Sequence, residues 1–252
     1  MKIVRHLHLI SPSVLALILA LLATGTASAD TDTRKVRAPD GPAWLYAIAK
    51  LEIPGSRYAD GRRQHHLETC SATLLADSTG GGRPLLLTAW HCLEFYNDLS
   101  RPLRVSIATS RGEALQREAY RLADGGGMHA DWALLTLQGG LPDLPLARLA
   151  LAPNPADLKI PVTMAGYSRD TGLGRRGAEL TYDPGCRITQ RQKHHTATDC
   201  RAHKGASGGA VVQLDAAGRS YLAGVISEGD GAGYSGFVPV TRFRAAVTAH
   251  QR

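Results

Sequence analysis

A serine set among glycines is the stretch of this sequence with the clearest chemical potential. It lies at residues 204–212, where Gly205, Ser207 and Gly208 precede a small apolar run. Glycine lets the backbone adopt positive φ and lets a second molecule approach closely. Such a turn can direct the N–H groups of Gly205 and Ser207 to one point beside the Ser207 hydroxyl, as in a nucleophile with an oxyanion hole. The same letters are also typical of an ordinary surface loop, so this stretch alone leaves both interpretations open.

A histidine and an aspartate upstream supply the groups that an attacking serine requires. His91 ends the apolar run 85–92, and Asp131 stands at the head of another strand-like run. A serine hydroxyl is a weak nucleophile at neutral pH, and it needs an imidazole to accept its proton and a carboxylate to fix the imidazole tautomer. We therefore predict Ser207 as nucleophile, His91 as general base and Asp131 as the carboxylate that orients His91.

Three short motifs give the chain a resemblance to a known family. The motifs are TAWHC at 88–92, DWALL at 131–135 and GASGG at 205–209, and they resemble the active-site signatures of chymotrypsin/trypsin-like serine proteases. Their compact spacing is similar to that of the secreted bacterial branch that includes the V8-type glutamyl endopeptidases, and the resemblance covers roughly residues 45–245. It implies a serine endopeptidase that cleaves protein or peptide substrates through an acyl-enzyme and needs no cofactor.

Two other classes of function compete with this interpretation. The first is a binding or adhesion protein on the same fold that is catalytically weak or inactive. The second is a serine esterase or lipase on another scaffold, whose catalytic residues follow the chain order serine, acid, histidine. Here His91 and Asp131 precede Ser207, so the order argues against that second class.

Short apolar runs alternate with Gly, Pro, Asp and Asn clusters from Trp44 onward, which predicts an all-β chain. The predicted strands lie at 70–75, 83–89, 103–108, 133–137, 160–167, 210–214, 221–227 and 237–240. The resemblance implies two antiparallel six-stranded β-barrels of the chymotrypsin type, the first of which carries His91 and Asp131. We expect a peptidase domain at 44–252, divided into a first barrel at about 44–140, a proline-rich linker at about 141–157, a second barrel at about 158–240 and a short C-terminal helix at about 241–250.

The N-terminal residues 1–29 have the pattern of a secretory signal peptide. Lys2 and Arg5 precede an apolar core at 14–22 that is too short to span a bilayer, and a small-residue cleavage site follows at 27–29. An uncleaved anchor is the alternative, but no charged stop-transfer flank follows. We expect a secreted or periplasmic protein that is free of the membrane after cleavage. Residues 30–43 form either a flexible terminus or a pro-segment.

The charge of the chain points to no special partner. Loss of residues 1–29 removes two of the 29 basic residues and none of the 22 acidic ones, so the formal net charge falls from +7 to +5. Arginine and lysine are scattered, which favours a role in solubility over binding of an anionic surface. The sequence contains no nucleic-acid-binding motif, and we expect a monomer.

The four cysteines suit an exported chain, and three pairings are possible in principle. The resemblance implies a histidine-loop disulfide between Cys70 and Cys92, which leaves Cys186 to pair with Cys200. Several histidines lie near these cysteines in sequence, but their spacings match none of the usual zinc patterns, so we predict no metal site.

The resemblance also implies a substrate-binding segment at Ser227, Glu228 and Gly229. In the family the serine of this segment bonds the aspartate of the triad, and its backbone pairs with extended substrate. An ordinary strand serine is the alternative at Ser227.

Two residues depart from the family pattern. Zymogen-activated animal enzymes place an aspartate directly before the nucleophile, where this chain has Ala206, so their activation switch cannot operate here. Trypsin-like enzymes place an aspartate six residues before the nucleophile, where this chain has Arg201. A buried, unpaired guanidinium is costly, so we expect Arg201 to reach solvent or an acidic partner, and we predict no preference for Lys or Arg. Acidic side chains are then candidates for the primary pocket, although Ile226 stands where Glu-specific relatives use a histidine.

Overall fold

The computed structural model describes residues 32–77, 83–141 and 145–251, so the predicted signal peptide at 1–29 lies outside the described residues. The described chain is built from β-strands, short 3₁₀ turns and one α-helix, as the sequence predicts. The strands are β1 (Lys35–Val36), β2 (Ile48–Ala59), β3 (Arg62–Leu74), β4 (Leu85–Thr88), β5 (Leu103–Ala108), β6 (Ala114–Asp124), β7 (Ala133–Leu137), β8 (Ala150–Leu151), β9 (Val162–Gly166), β10 (Thr181–Cys186), β11 (Ile188–Arg191), β12 (Thr196–Thr198), β13 (Ala210–Leu214), β14 (Ser220–Gly229) and β15 (Ser235–Pro239). The helix is α1 (Arg244–His250), and the 3₁₀ turns are Ala43–Ala47, Trp90–Leu93, Met128–Ala130, Arg175–Gly177 and Val240–Arg242.

The first six long strands form a closed antiparallel barrel in the order β2-β3-β4-β7-β6-β5. Successive side chains of a strand point to opposite faces, so alternate residues of each strand turn inward. Leu51, Leu86, Val105 and Leu135 are fully buried in the same cluster. The interior of this barrel is therefore a packed apolar core.

The second set of strands forms a curled sheet, where the family resemblance implies a second closed barrel. Its order is β1-β10-β9-β13-β14-β15-β12-β11, and β8 pairs in parallel with β14. The chain passes from β10 to β11 across Arg187, so one run of residues pairs with β9 on one side of the curl and with β12 on the other. The ladder is broken between Asp183 and Cys186, where Pro184 has no N–H to donate and Gly185 has a φ of +76°. The sheet therefore curls without a continuous closing ladder.

An apolar layer joins the barrel to the curled sheet. Leu87 and Leu134 of the barrel belong to the same buried cluster as Val212 and Val225 of the sheet. The C-terminal helix α1 closes this layer, since Phe243 just before it is fully buried against the cluster. The short helix predicted at the C-terminus is confirmed, with its first residue at Arg244.

The N-terminal segment takes part in the curled sheet. Lys35 pairs with Tyr182 and Val36 with Thr181, so β1 adds an edge strand to β10. This pairing involves only Lys35 and Val36, and the expectation of a flexible terminus or pro-segment over 30–43 stays a prediction. The strand β1 has only two residues, which are too few to show an alternating hydrophobic pattern, so the sequence does not predict it.

Candidate active site

His91 lies where the barrel strand β4 ends. The strand stops at Thr88, and His91 occupies the 3₁₀ turn Trp90–Leu93. Cys92 in the same turn forms a disulfide with Cys70 of β3, the pairing that the family resemblance implies. The turn is thus tied to its neighbouring strand beside the imidazole, whose side chain remains 28% exposed. This partial exposure leaves the ring accessible to a substrate.

Asp131 is a fully buried carboxylate that accepts three hydrogen bonds. It follows the 3₁₀ turn Met128–Ala130 and is 0% exposed. Its Oδ1 accepts the backbone N–H of His91 at 2.8 Å, and its Oδ2 lies 2.8 Å from His91 Nδ1. The hydroxyl of Ser227 donates to Oδ2 at 2.5 Å. Because a carboxylate only accepts, His91 carries its proton on Nδ1 and presents the lone pair of Nε2 outward.

Ser207 lies in a turn that only glycine can form at two positions. Gly205 and Gly208 have φ values of +94° and +83°. A Cβ on Gly208 would lie 2.1 Å from the backbone oxygen of Ser71 and 2.2 Å from Thr88 Oγ1, so the turn packs directly against the barrel. Neither the Gly205 N–H nor the Ser207 N–H donates a hydrogen bond to another described residue. Two backbone donors beside the Ser207 hydroxyl are therefore available to a ligand, as an oxyanion hole requires.

Short contacts bring the serine turn to the His91–Asp131 pair. The backbone oxygen of Ser207 accepts the N–H of Ser71, and Cys92 Sγ lies 3.9 Å from the same oxygen. On the other side, the Gly208 N–H donates to Ile226, the residue before Ser227. The three predicted residues thus meet where the barrel faces the curled sheet.

The Ser207 hydroxyl makes no hydrogen bond to His91 within the described part of the chain. Hydrogen bonds between catalytic groups are often long in ligand-free enzymes and shorten when substrate binds. The structure therefore places the serine turn close to an imidazole that a buried carboxylate holds in position.

The segment Ser227–Gly229 has an open edge beside this site. The pairing of β14 with β13 ends at Val225, so no described strand pairs with the outer edge of the following residues. A Cβ on Gly229 would lie 2.3 Å from the backbone oxygen of Ala202, which explains the glycine there. Such an edge can receive an extended peptide by β-augmentation.

Glu228 is the centre of a polar cluster that the sequence did not reveal. Its Oε1 accepts the Tyr234 hydroxyl at 2.6 Å and lies 2.9 Å from Nε2 of His195. The hydrogen bond to this carboxylate raises the pKa of Tyr234 to about 12. His195 lies 33 residues before Glu228 in sequence, and only the pairing of β12 with β15 brings the two together.

Arg201 is partly buried on the other side of the serine turn. Its backbone N–H donates to Oδ2 of the buried Asp183 at 2.7 Å. Together with Ala206 and Ile226, it lines a small cavity of about 10 Å³ behind the turn.

In the described residues, two groups bring histidine, aspartate or cysteine side chains close together. One group is Cys70, His91 and Cys92, and the other contains Cys186 and Cys200. Both pairs of cysteines are joined as disulfides, so their sulfurs are not thiolates that could bind a metal.

Comparison with known proteins agrees with this arrangement. A model of the trypsin-like peptidase domain family matches residues 70–221, which include all three motifs. The chain therefore belongs to the trypsin-like peptidase domain family. A search of curated protein sequences found no match.

Solved structures support the fold. The crystal structure of Rv3671c from M. tuberculosis H37Rv, a serine-to-alanine mutant in its inactive form, matches with a TM-score of 0.53 and 16% sequence identity. The match covers 86% of this chain and 98% of that one. At this identity the likeness shows the fold alone.

Proposed function

We propose that this chain is an exported serine endopeptidase of the trypsin-like family, with His91, Asp131 and Ser207 as its catalytic triad. The observation that carries the proposal is the fully buried Asp131, which fixes the His91 ring beside a glycine-bounded serine turn. A buried carboxylate is costly to place without hydrogen bonds, and here two of its three bonds hold His91.

The chemistry follows from the positions of these groups. His91 Nε2 accepts the proton of Ser207 as the hydroxyl oxygen attacks the scissile carbonyl carbon, and Asp131 stabilises the imidazolium that forms. The N–H groups of Gly205 and Ser207 hold the oxyanion of the tetrahedral intermediate, which collapses to an acyl-enzyme as His91 protonates the leaving amine. Water then attacks the acyl-enzyme with His91 again as base and releases the acid product.

Substrate is expected to bind as an extended strand along the open edge of Ser227, Glu228 and Gly229. Backbone pairing there supplies affinity, and the side-chain surroundings supply specificity. Arg201 argues against a preference for Lys or Arg at the cleaved bond. Digestion of a peptide library tests this expectation: cleavage mainly after Lys or Arg would contradict it, whereas enrichment of acidic residues would support the V8-like branch.

Export is the cellular context that we propose. Residues 1–29 have the pattern of a signal peptide, and both disulfides of the structure suit an oxidising compartment. In the described residues, no helix has the length and apolar character needed to cross a membrane. We further propose the division into a peptidase domain over 44–252 that acts as a monomer, which size-exclusion chromatography with light scattering tests.

Casein digestion tests the proposed reaction. We expect the purified chain without residues 1–29 to degrade casein, Ser207→Ala to abolish the activity and Ser110→Ala, an exposed serine on the turn after β5, to keep it. Digestion that persists in folded Ser207→Ala would overturn the role of this serine. A folded wild-type protein that neither digests casein nor cleaves a peptide library would favour the noncatalytic binding protein instead.

A further inference from the structure

A buried ion pair connects the N-terminal segment to the loop that follows β9. Arg34 donates to Asp170 Oδ1 at 2.8 Å, and the exposed fractions of the two side chains are 3% and 13%. Two further bonds hold the same segment: Thr33 Oγ1 donates to Asp183, and the Arg37 N–H donates to the backbone of Leu180. A charge this deeply buried needs its partner, so the segment and the loop must be kept together.

The loop in question, Tyr167–Leu180, forms one wall of the serine turn. The Arg169 N–H donates to the backbone oxygen of Lys204 at 2.7 Å. A Cβ on Gly205 would lie 2.6 Å from the Tyr167 oxygen and 2.7 Å from Arg169 Cγ. Asp170 therefore directly follows Arg169, whose side chain contacts Gly205, and the Gly205 N–H is one of the two proposed oxyanion donors.

Asp170 also fixes the shape of this loop. Its Oδ2 accepts the Gly174 N–H at 3.2 Å, and its backbone oxygen accepts the Arg176 N–H at 2.8 Å. Arg175 and Arg176 have φ values of +44° and +58°, which are unfavourable for residues with a side chain. Such a conformation persists only where surrounding contacts impose it, and the contacts of Asp170 are among them.

The carboxyl group of Asp170 stays ionised although it is largely buried. Burial raises the pKa of Asp170, but the hydrogen bonds from Arg34 and Gly174 and the charge of Arg34 outweigh it and hold the pKa below its usual range. The carboxylate is therefore ionised at neutral pH. The residue before the nucleophile, Ala206, offers no carboxylate of its own to anchor the turn.

We propose that the Arg34–Asp170 ion pair positions Gly205 for catalysis by holding the loop Tyr167–Leu180 against it. The inference rests on the proposed function. In this arrangement Arg34 and Asp170 are positioning residues, and the segment that begins at Thr33 is required for the full rate of the chemical step. The pair fixes one wall of the oxyanion hole from a point outside the substrate site.

The test compares the kinetics of ion-pair variants on a peptide ester and a peptide amide. The variants are Arg34→Gln, Arg34→Lys, the double variant Arg34→Gln/Asp170→Asn, and Arg219→Gln as a matched control that breaks the exposed Arg219–Asp215 pair. Loss of one oxyanion donor costs about 10²–10³-fold in rate, so a misplaced Gly205 is expected to lower kcat by about 10–100-fold with little change in KM. Arg34→Lys should recover part of kcat, and Arg219→Gln should equal wild type.

The double variant separates positioning from stability. It leaves no unpaired charge in the interior, so we expect its melting temperature to exceed that of Arg34→Gln. Its kcat should nevertheless stay low, because the ion pair no longer holds the loop against Gly205. A double variant with wild-type kcat would overturn the proposal and assign the pair to stability alone.

Hydrogen–deuterium exchange gives a readout that does not depend on activity. We expect faster exchange of amides 203–208 in Arg34→Gln and in the double variant, with β5 unchanged as an internal reference. If wild type shows no activity dependent on Ser207, the proposed function fails, and exchange at 203–208 still decides whether the ion pair orders the turn. Unchanged exchange at 203–208 in both folded variants would refute the inference.

Discussion

Asp131→Asn keeps the volume of a fully buried side chain and removes its charge. In the wild type, Oδ1 accepts the His91 backbone N–H and Oδ2 accepts from both His91 Nδ1 and Ser227 Oγ. An asparagine accepts through one atom only, because its nitrogen is a donor. If the amide oxygen keeps the backbone N–H, the amide nitrogen faces Nδ1, which must then accept a hydrogen bond. The ring proton moves to Nε2, and His91 can no longer take the proton of Ser207.

The size of this effect can be estimated from the chemistry of such triads. The wrong tautomer lowers kcat by about 10⁴-fold. At about 1.36 kcal/mol for each factor of ten, the loss amounts to about 5 kcal/mol of transition-state stabilisation. The fold itself should survive, since the amide fills the same space and Ser227 can accept a hydrogen bond from it.

Ser227→Ala is the matched control for this prediction. It removes one of the three hydrogen bonds to Asp131 and leaves both bonds to His91, so the ring keeps its tautomer. We expect kcat to fall by less than about tenfold. A hydrogen bond to a charged group contributes about 1.5–3 kcal/mol to stability. For a chain of this size each kcal/mol corresponds to about 2–4 °C in melting temperature, so the variant should melt measurably earlier.

Steady-state hydrolysis of a peptide ester and thermal melting by circular dichroism distinguish the two variants. The expected pattern is a large loss of kcat in Asp131→Asn and a lower melting temperature with modest loss of kcat in Ser227→Ala. A folded Asp131→Asn that retains kcat within about tenfold of wild type would refute the tautomer argument.

Three further predictions concern the turn, the buried ion pair and the histidine-loop disulfide. Gly208→Ala should abolish activity and strongly lower the melting temperature, because the new Cβ would lie 2.1 Å from a backbone oxygen of β3. The control Gly218→Ala has a similar φ of +75° but open surroundings, so it should cost only about 1–3 kcal/mol of stability. Equal losses of stability in the two variants would contradict this prediction. The pKa of Asp170 is depressed in the folded chain, so its ion pair stabilises the fold at pH values above the unfolded pKa of about 3.9. The difference in melting temperature between wild type and Asp170→Asn should therefore shrink as the pH falls below that value. A difference that grows in acid would contradict the predicted direction of the pH dependence. Replacement of both Cys70 and Cys92 by serine should cost about 2–4 kcal/mol in thermal unfolding and lower kcat, and unchanged values would show that the disulfide does not hold the histidine turn.

Local sequence patterns predicted the parts of this fold that depend on near neighbours. The strands β5, β7 and β13 begin and end at the residues expected, since each is a short apolar run between turn residues. The strands β2 and β6 were not predicted. Pro54 and Gly55 interrupt the apolar pattern of β2, and β6 mixes charged residues with few apolar ones. These strands are fixed by pairing within the closed barrel, which local patterns do not contain.

The same limit applies to the candidate site. The order and spacing of its motifs indicated His91, Asp131 and Ser207, because the chemistry restricts which residue types can serve. The contacts that surround them join residues far apart in the chain. Arg34 and Asp170 are 136 residues apart, and neither lies in a motif. Burial and charge in the folded chain are what make such pairs recognisable.

Covalent labelling with a fluorophosphonate probe tests the central claim most directly. The proposed mechanism predicts one label per folded chain, mapped by mass spectrometry to Ser207, absent from Ser207→Ala and retained in Ser110→Ala. A folded, disulfide-bonded wild-type chain that takes up no label, or a Ser207→Ala variant that is labelled as fast as wild type, would contradict the assignment of Ser207 as an activated nucleophile.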